Sequence, residues 1–273
     1  MKNKKVYIIK ASGKIEEYKP EKIYHSLIRT GVDESIARDI VSDVSKFVKN
    51  GMTTRHIYQH TIRLLRERKM SYAQKYTLRE AIMRLGPEGY PFEHYFAKIL
   101  EDYGYTVKTN RVIRGKCVSH EIDIVAVKDG KRYLIECKYH NNFGTKTDVK
   151  VALYVYARFL DLEEYFDRAW IATNTKLSLD AIDYAKCVNM KVTAWHYPYN
   201  ESLEKLIERK KLYPVTILFD LNDEMKLRLL KSGIVFLREF VNTDHKLLSL
   251  ILGISPREVR QIVGRARYLV EGY

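Results

Sequence analysis

Residues 120–140 read HEIDIVAVKDGKRYLIECKYH, and this stretch decides the fold of the middle of the chain. Two runs rich in β-branched and aliphatic residues flank the dipeptide Asp129-Gly130. Because such runs on either side of an Asp-Gly pair are typical of two strands joined by a tight turn, the stretch predicts a β-hairpin with buried strands.

Three charged residues interrupt these apolar runs. Asp123 falls on the first predicted strand, and Glu136 and Lys138 fall on the second. Side chains alternate between the two faces of a strand, so Glu136 and Lys138 share one face. A carboxylate buried beside a second carboxylate is costly unless a cation neutralises it, and our interpretation is that a divalent metal ion is that cation.

The composition favours a folded, basic protein. The chain has 273 residues, 46% hydrophobic content, 48 Lys and Arg against 34 Asp and Glu, a net charge of +14 and a pI near 9.4. Residues 1–89 contain 19 basic and 10 acidic side chains, so +9 of the net charge lies there. This excess favours a polyanionic partner. Three scattered cysteines without CxxC spacing and the lack of a long apolar run predict a cytoplasmic protein without disulfides.

The first 85 residues predict two short strands around a glycine turn, followed by helices that begin near Pro20, Glu34, Thr53 and Ser71, the last ending at Leu85. This arrangement resembles the ATP-cone, the regulatory nucleotide-binding domain of ribonucleotide reductases and of their repressors. The resemblance depends on the pattern Ile8-x-Lys10-x-x-Gly13-x-x-Glu16, on Lys22-Ile23 and on Thr54-x-x-Ile57.

The resemblance implies that ATP or dATP binds as a regulatory ligand, with Lys10 and Lys22 on its phosphates and Gly13 allowing close backbone approach. The nucleotide-binding residues that it implies are Ile8, Lys10, Ala11, Ser12, Gly13, Glu16, Lys19, Lys22, Thr54 and Ile57. The family usually has Arg-Asp where this chain has Ala11-Ser12, so one phosphate contact is missing, and Lys14 or Lys19 could substitute. An ATP-cone fold without nucleotide affinity is the alternative.

Residues 86–91, GPEGYP, predict a domain boundary, because two prolines and two glycines cannot continue a helix or strand. After it we expect an amphipathic helix with Glu93 in its first turn, a basic extended piece, the hairpin, and then alternating helices and strands up to Trp195. Glu93, Asp123 and the triplet Glu136-Cys137-Lys138, in that order, are similar to the PD-(D/E)xK nuclease superfamily, nearest to Mrr-like restriction endonucleases and archaeal Holliday-junction resolvases.

This resemblance implies a site in which Asp123, Glu136 and the Cys137 carbonyl bind Mg²⁺ or Mn²⁺, and in which Lys138 orients or deprotonates the attacking water. Glu93 would contact the metal directly or from an outer position. Lys150, on the following helix, is a candidate phosphate contact, although a lysine in a first helical turn is usually solvated. We expect His120 and His140, which flank the site, to be ordinary hydrogen-bonded residues.

Residues 201–273 predict short helices separated by glycine turns near Gly233 and Gly253. They resemble helix-hairpin-helix modules, which hold a DNA phosphate on backbone amides, and the resemblance implies DNA contacts at Gly253, Ser255, Arg257 and Arg260. A protein–protein module is the alternative, since this region contributes little of the net charge.

The sequence therefore predicts an α/β multidomain protein: an ATP-cone at 1–89, a nuclease domain with a mixed sheet flanked by helices at 90–200, and an all-α DNA-binding domain at 201–273. The favoured function is that of a metal-dependent DNA endonuclease controlled by ATP or dATP, acting as a homodimer or higher oligomer. The alternatives are a nucleotide-responsive DNA-binding regulator with an inactive nuclease fold, and a helical adaptor protein.

Overall fold

The computed structural model describes residues 5–86, 89–142 and 144–271. Contacts between Cα atoms divide the chain into two compact units, Met1–Leu78 and Arg79–Tyr273. Pro87 and Glu88 of the predicted linker lie outside the described residues. The division at 89 and 200 into three domains stays a prediction. In the described part of the chain, no helix combines the length and the apolar character needed to cross a bilayer.

The first unit opens with the predicted hairpin. Strands β1 (Tyr7–Ile9) and β2 (Ile15–Glu17) pair antiparallel, and the turn between them contains Gly13 at a φ of +78°. Helices α1 (Pro20–Arg29), α2 (Glu34–Phe47), α3 (Thr54–Arg68) and α4 (Met70–Tyr76) follow. Thr53 caps α3 by accepting a hydrogen bond from the His56 N–H, as the sequence predicts.

The single helix predicted from Ser71 to Leu85 is wrong. Helix α4 ends at Tyr76, and a separate helix α5 (Leu78–Met83) follows it. The break lies at Thr77, whose hydroxyl donates to the Gln74 carbonyl oxygen at 2.9 Å. Threonine bonds readily to the preceding turn of backbone, which competes with continuation of the helix.

The core of the second unit is a five-stranded mixed sheet in the order β3-β4-β5-β7-β9. Its elements are α6 (Tyr90–Asp102), β3 (Thr106–Arg114), β4 (Ser119–Lys128), β5 (Lys131–Lys138), β6 (Lys146–Thr147), α7 (Val149–Asp161), β7 (Arg168–Thr173), β8 (Lys176–Leu177), α8 (Leu179–Cys187) and β9 (Lys191–Thr193). Strands β3, β4 and β5 pair antiparallel, and β5, β7 and β9 pair parallel. The short strands β6 and β8, absent from the sequence prediction, form a separate parallel pair.

The central hairpin is confirmed. Asp129 and Gly130 both have positive φ, +52° and +73°, which is the geometry of the tight turn that matches the twist of paired strands. Helix α6 packs on one face of the sheet, where Phe96 contacts Trp170 edge to face with 5.7 Å between ring centroids. Ala152 and Val155 of α7 join the aliphatic cluster on the other face, around Leu134 and Ile171. The sheet is thus covered on both sides, as a mixed α/β core requires.

The C-terminal part is helical, as predicted. It contains α9 (Leu203–Arg209), a 3₁₀ turn (Val215–Ile217), α10 (Asp223–Lys231), α11 (Leu237–Asn242), α12 (His245–Leu252) and α13 (Pro256–Glu271). Gly233 and Gly253 have φ values of +80° and +69°, so both glycine turns adopt the left-handed conformation that ends a helix.

Candidate active site

The candidate site lies where strands β4 and β5 separate. Their pairing runs from Lys128↔Lys131 to Ile124↔Ile135 and stops there. The next residues along the two strands are Asp123 and Glu136. One contact still joins them, because the Cys137 N–H donates to Asp123 Oδ2 at 2.7 Å. The hairpin therefore presents two carboxylates side by side at its open end.

Glu93 reaches the same region from helix α6. Burial, and then the negative charges of Asp123 and Glu136, raise the pKa of Glu93 to about 7. Burial and the charge of Glu136 likewise raise the pKa of Asp123 to about 6. Within the described residues, neither oxygen of Glu93 has a hydrogen bond or ion pair. The predicted acids thus share one electrostatic environment that contains too little positive charge for all of them to ionise freely.

Lys138 follows Glu136 on the same face of β5. Its Nζ lies 3.5 Å from Glu136 Oε1, and 41% of its side chain is exposed. It is therefore both close to the carboxylates and open to a substrate. Cys137 is buried, which raises the pKa of its thiol, so its side chain is a neutral thiol and its carbonyl oxygen is the candidate ligand.

Arg158 is the residue of the site that the sequence reasoning missed. It comes from the buried side of α7, where its Nη1 donates to Glu136 Oε2 and its Nη2 donates to the Glu121 carbonyl oxygen. Its Nε is buried without a hydrogen-bond partner among the described residues. The signal was available: three residues after the core residue Val155, position 158 falls on the apolar side of the helix, where an arginine needs a partner.

Arg158 changes the argument for a metal. Glu136 is buried, but a guanidinium already neutralises it, so its burial alone does not require a metal ion. The uncompensated groups are Asp123 and Glu93. No cluster of three His, Cys, Asp or Glu side chains close enough to hold an ion occurs in residues 5–86, 89–142 and 144–271. Mg²⁺ is commonly bound by one or two carboxylates, several waters and substrate phosphates, and Asp123, Glu136 and the Cys137 carbonyl fit that pattern.

The two flanking histidines have the ordinary hydrogen bonds predicted for them. His120 Nε2 lies 2.7 Å from Asp161 Oδ2, and His140 Nε2 lies 3.0 Å from Thr147 Oγ1. Asn174 holds the chain just after β5, because its side chain accepts a hydrogen bond from the His140 N–H and donates one to the His140 carbonyl oxygen. Lys150 is exposed in the first turn of α7, as a solvated lysine would be.

The residues predicted to bind a nucleotide surround the β1–β2 turn of the first unit. Lys10 and Lys22 both contact Glu16, at 2.7 Å and 3.0 Å. These two ion pairs lower the pKa of Glu16, so the carboxylate is charged and neutralises the proposed phosphate ligands. Of the other predicted residues, Ala11, Ser12, Gly13 and Lys19 are exposed, whereas Ile8 and Ile57 are buried and Thr54 is half-buried at the start of α3.

The Gly253 turn brings together the predicted DNA contacts, but it also contains an acid. Ser255 donates from both its N–H and its hydroxyl to Glu258 Oε2, at 2.9 Å and 2.7 Å. The first turn of α13 is thus capped by its own carboxylate, which occupies the place where amides would receive a phosphate. Arg257 and Arg260 are exposed. The helix-hairpin-helix interpretation stays a prediction.

Comparison with known proteins assigns two parts of the chain to known families. Residues 86–199 match the restriction endonuclease family Mrr_cat, so the central part of the chain is a restriction-endonuclease-like domain. This confirms the Mrr-like part of the resemblance predicted for residues 90–200, whereas the similarity to Holliday-junction resolvases stays a prediction. Residues 213–270 match a second family, the AF1548-like C-terminal domain.

Two similar proteins identify the family. An uncharacterized protein of Archaeoglobus fulgidus is 45% identical over 175 residues, which cover 64% of this chain and 99% of that protein. The crystal structure of the protein of unknown function AF1548 is 43% identical, with a TM-score of 0.59 over 68% of this chain and 100% of that one. The chain belongs to the AF1548-like family.

A third similarity is too low to support an argument. Can2 from Sulfobacillus thermosulfidooxidans, solved in complex with cyclic tetra-adenylate, is 19% identical and has a TM-score of 0.34, over 52% of this chain and 38% of that one.

Proposed function

We propose that this protein is a Mg²⁺- or Mn²⁺-dependent DNA endonuclease that hydrolyses phosphodiester bonds at a site formed by Glu93, Asp123, Glu136 and Lys138. One observation supports this most. Three acids of the nuclease-like domain share an environment that raises the pKa of Glu93 to about 7 and of Asp123 to about 6. Strongly shifted carboxylates are typical of functional sites, and the missing positive charge is what a divalent cation supplies.

The residues fit such an ion as carboxylate and carbonyl ligands, with Asp123, Glu136 and the Cys137 carbonyl oxygen holding it. A bound divalent ion would neutralise the phosphate and lower the pKa of an attacking water.

Lys138 has a separate role in the proposal. As a cation, its partly exposed ammonium donates a hydrogen bond to the attacking water and so orients it, and it offsets charge that develops on the phosphate. To deprotonate the water instead, Lys138 must itself first be neutral. In the metal-free protein the pKa of Glu93 is about 7, so this carboxyl can accept or return a proton at physiological pH before an ion binds.

The test is cleavage of plasmid and branched DNA with Mg²⁺. We expect Lys138→Ala and Asp123→Ala each to lower the rate by about 100-fold or more, because removing a proton-transfer or charge-stabilising group costs about that much. Lys131→Ala, at the turn of the same hairpin, is the control and should cleave like wild type. Equal rates for all four proteins would contradict the proposal.

The first unit is proposed to bind ATP or dATP and to control the nuclease. Its support is the left-handed Gly13 turn next to Lys10 and Lys22, which is a pattern able to receive phosphate oxygens. The Gly253 turn, with Ser255, Arg257 and Arg260, and Lys150 are proposed as further DNA contacts. Cutting both strands of a duplex needs two sites, so we propose a homodimer or higher oligomer.

The ion pair between Arg158 and Glu136 favours a second candidate, a nucleotide-responsive DNA-binding regulator that keeps the nuclease fold as a scaffold. In that case Arg158 replaces the metal permanently. Wild-type protein that binds DNA, cleaves none of the tested substrates and changes its size on gel filtration with ATP would favour this candidate over the nuclease.

A further inference from the structure

Strand β3 departs from regular geometry directly beside the candidate site. Asn110 has a φ of +51°, which is uncommon for any residue other than glycine and is best tolerated by Asn and Asp. The β3–β4 pairing runs from Thr106↔Val127 to Thr109↔Ile124 and resumes at Arg111↔Ile122. The step left out of the ladder is the one between Asn110 and Asp123. The irregular position therefore lies across from a proposed catalytic acid.

This irregularity changes which side chains share a face. Lys108 and Arg111 are three residues apart, so in a regular strand they would point to opposite faces. Here both line one groove of about 520 Å³, together with Val112, Ile113 and Val125. The left-handed turn at Asn110 accounts for this, since an extra twist in a strand re-aims the side chains that follow it.

The groove runs along the strand that contains Asp123. Lys108 lies opposite Val125, and Arg111 lies opposite Ile122, so the two cations are placed on either side of Asp123 along β4. β3 is an edge strand of the sheet, which leaves the groove open on one side. A long ligand that enters along β3 would pass the open end of the hairpin.

Lys108 and Arg111 are exposed, and neither side chain has a hydrogen bond or ion pair within the described ranges 5–86, 89–142 and 144–271. Other basic side chains near the sheet do: Lys116 pairs with Glu163 at 2.5 Å, and Arg132 pairs with Asp167 at 3.1 Å. The groove therefore offers two unneutralised cations next to a site that is rich in acids. A polyanion with regularly spaced charges matches the groove better than a small anion would.

We propose that this groove binds the sugar–phosphate backbone of duplex DNA and leads the scissile strand to the hairpin, with Lys108 and Arg111 each neutralising one phosphate. Such contacts position the duplex without reading its sequence. The inference rests on the proposed nuclease function, and it names a substrate-binding surface that neither sequence motif contained.

The test is the salt dependence of binding to a 25-base-pair DNA duplex. Binding is measured by fluorescence anisotropy, in EDTA so that no cleavage occurs. Each phosphate contact contributes about −0.9 to the slope of log K against log salt concentration. We expect the Lys108→Ala/Arg111→Ala variant to bind more weakly and its slope to be shallower by about 1.8. Lys131→Ala/Lys186→Ala removes the same charge outside the groove and should leave the slope near that of wild type.

A second pair of variants tests the role of Asn110. Asn110→Gly keeps the left-handed conformation, and we expect wild-type affinity. Asn110→Val disfavours that conformation and turns Arg111 away from the groove. The slope of log K against log salt concentration should then become shallower by about 0.9, the contribution of one phosphate contact. Circular dichroism and thermal melting show whether each variant is folded.

The results separate this inference from the proposed function. Wild-type protein that binds duplex DNA, together with a groove variant of unchanged slope, would overturn the inference and leave the nuclease proposal standing. An equal loss of DNA affinity and slope in the control variant Lys131→Ala/Lys186→Ala would also overturn it. So would a groove variant that loses affinity only for an RNA duplex of the same sequence. Wild-type protein that binds no duplex would contradict the proposed function and this inference with it.

Discussion

The candidate active site and the β1–β2 turn differ in how far their charges are already neutralised. At the open end of the β4–β5 hairpin, Glu93 and Asp123 have raised pKa values, and one cation, Arg158, is committed to Glu136. At the β1–β2 turn, Lys10 and Lys22 already share a carboxylate, Glu16. The first cluster gains from receiving a cation, whereas the second must give up its ion pairs before it can hold a phosphate. Metal binding should therefore be intrinsic to the hairpin, and nucleotide binding should be weak and adjustable.

The largest expected effect is on stability, at Arg158. Arg158→Met removes the buried cation of Glu136 and leaves only the partly exposed Lys138 beside it, and breaking a buried pair from one side costs about 3–5 kcal/mol of unfolding free energy. Urea denaturation measures this. Arg132→Met, which removes an exposed pair with Asp167, is the contrast, because exposed pairs contribute little to stability. A loss of equal size in both variants would show that Arg158 has no special structural role.

A smaller effect is expected from pH on the metal-free protein. The pKa values of Asp123 and Glu93 are raised by folding, so the stability that they contribute is full below their unfolded values, about pH 4, and is lost as the pH rises through 6 and 7. The unfolding free energy should therefore fall between pH 5 and 8, and added Mg²⁺ should restore it.

Histidines obscure this trend, and a variant isolates it. Burial lowers the pKa values of His60, His94 and His140, and these groups add stability as the pH rises through the same window. The Asp123→Asn/Glu93→Gln variant keeps the histidines. Its unfolding free energy should therefore lack only the decrease with rising pH that the two acids cause. If it follows the wild-type pH curve, the two acids do not have the environment described.

The smallest effect is expected at the nucleotide turn. Glu16→Gln frees Lys10 and Lys22, and because the pairs are exposed we expect ATP affinity to rise by only about 2- to 5-fold. Isothermal titration calorimetry with ATP and dATP measures this. Glu17→Gln, which frees Lys5 instead, is the matched control on the same strand. Weaker ATP binding by Glu16→Gln would mean that Glu16 organises the lysines instead of competing with the phosphates.

The sequence was most informative where one local pattern determines both structure and chemistry. The Asp129-Gly130 turn sets the register of the hairpin, and that register alone brings Asp123 and Glu136 to the same end of it. The glycines at 13, 233 and 253 also marked their turns correctly, because a positive φ is a local requirement.

The sequence was least informative where a partner comes from a distant element. The Arg158–Glu136 pair joins α7 to β5, and the shared groove of Lys108 and Arg111 depends on one left-handed residue inside a strand. Spacing places Arg158 on the apolar side of its helix, but it identifies neither the partner of Arg158 nor the groove. Competition between hydrogen bonds was also missed: Glu258 caps the Gly253 turn, and Thr77 breaks a helix that its apolar pattern would continue.

The central claim is that the hairpin acids bind a divalent cation. Calorimetric titration of the wild-type protein with Mn²⁺, without DNA and at pH 7.5, tests it most directly. We predict one site per chain, proton release on binding because Glu93, with a pKa of about 7, is partly protonated beforehand, and loss of that site in Asp123→Asn. No binding by wild-type protein at millimolar Mn²⁺, or equal binding by Asp123→Asn, would contradict the claim.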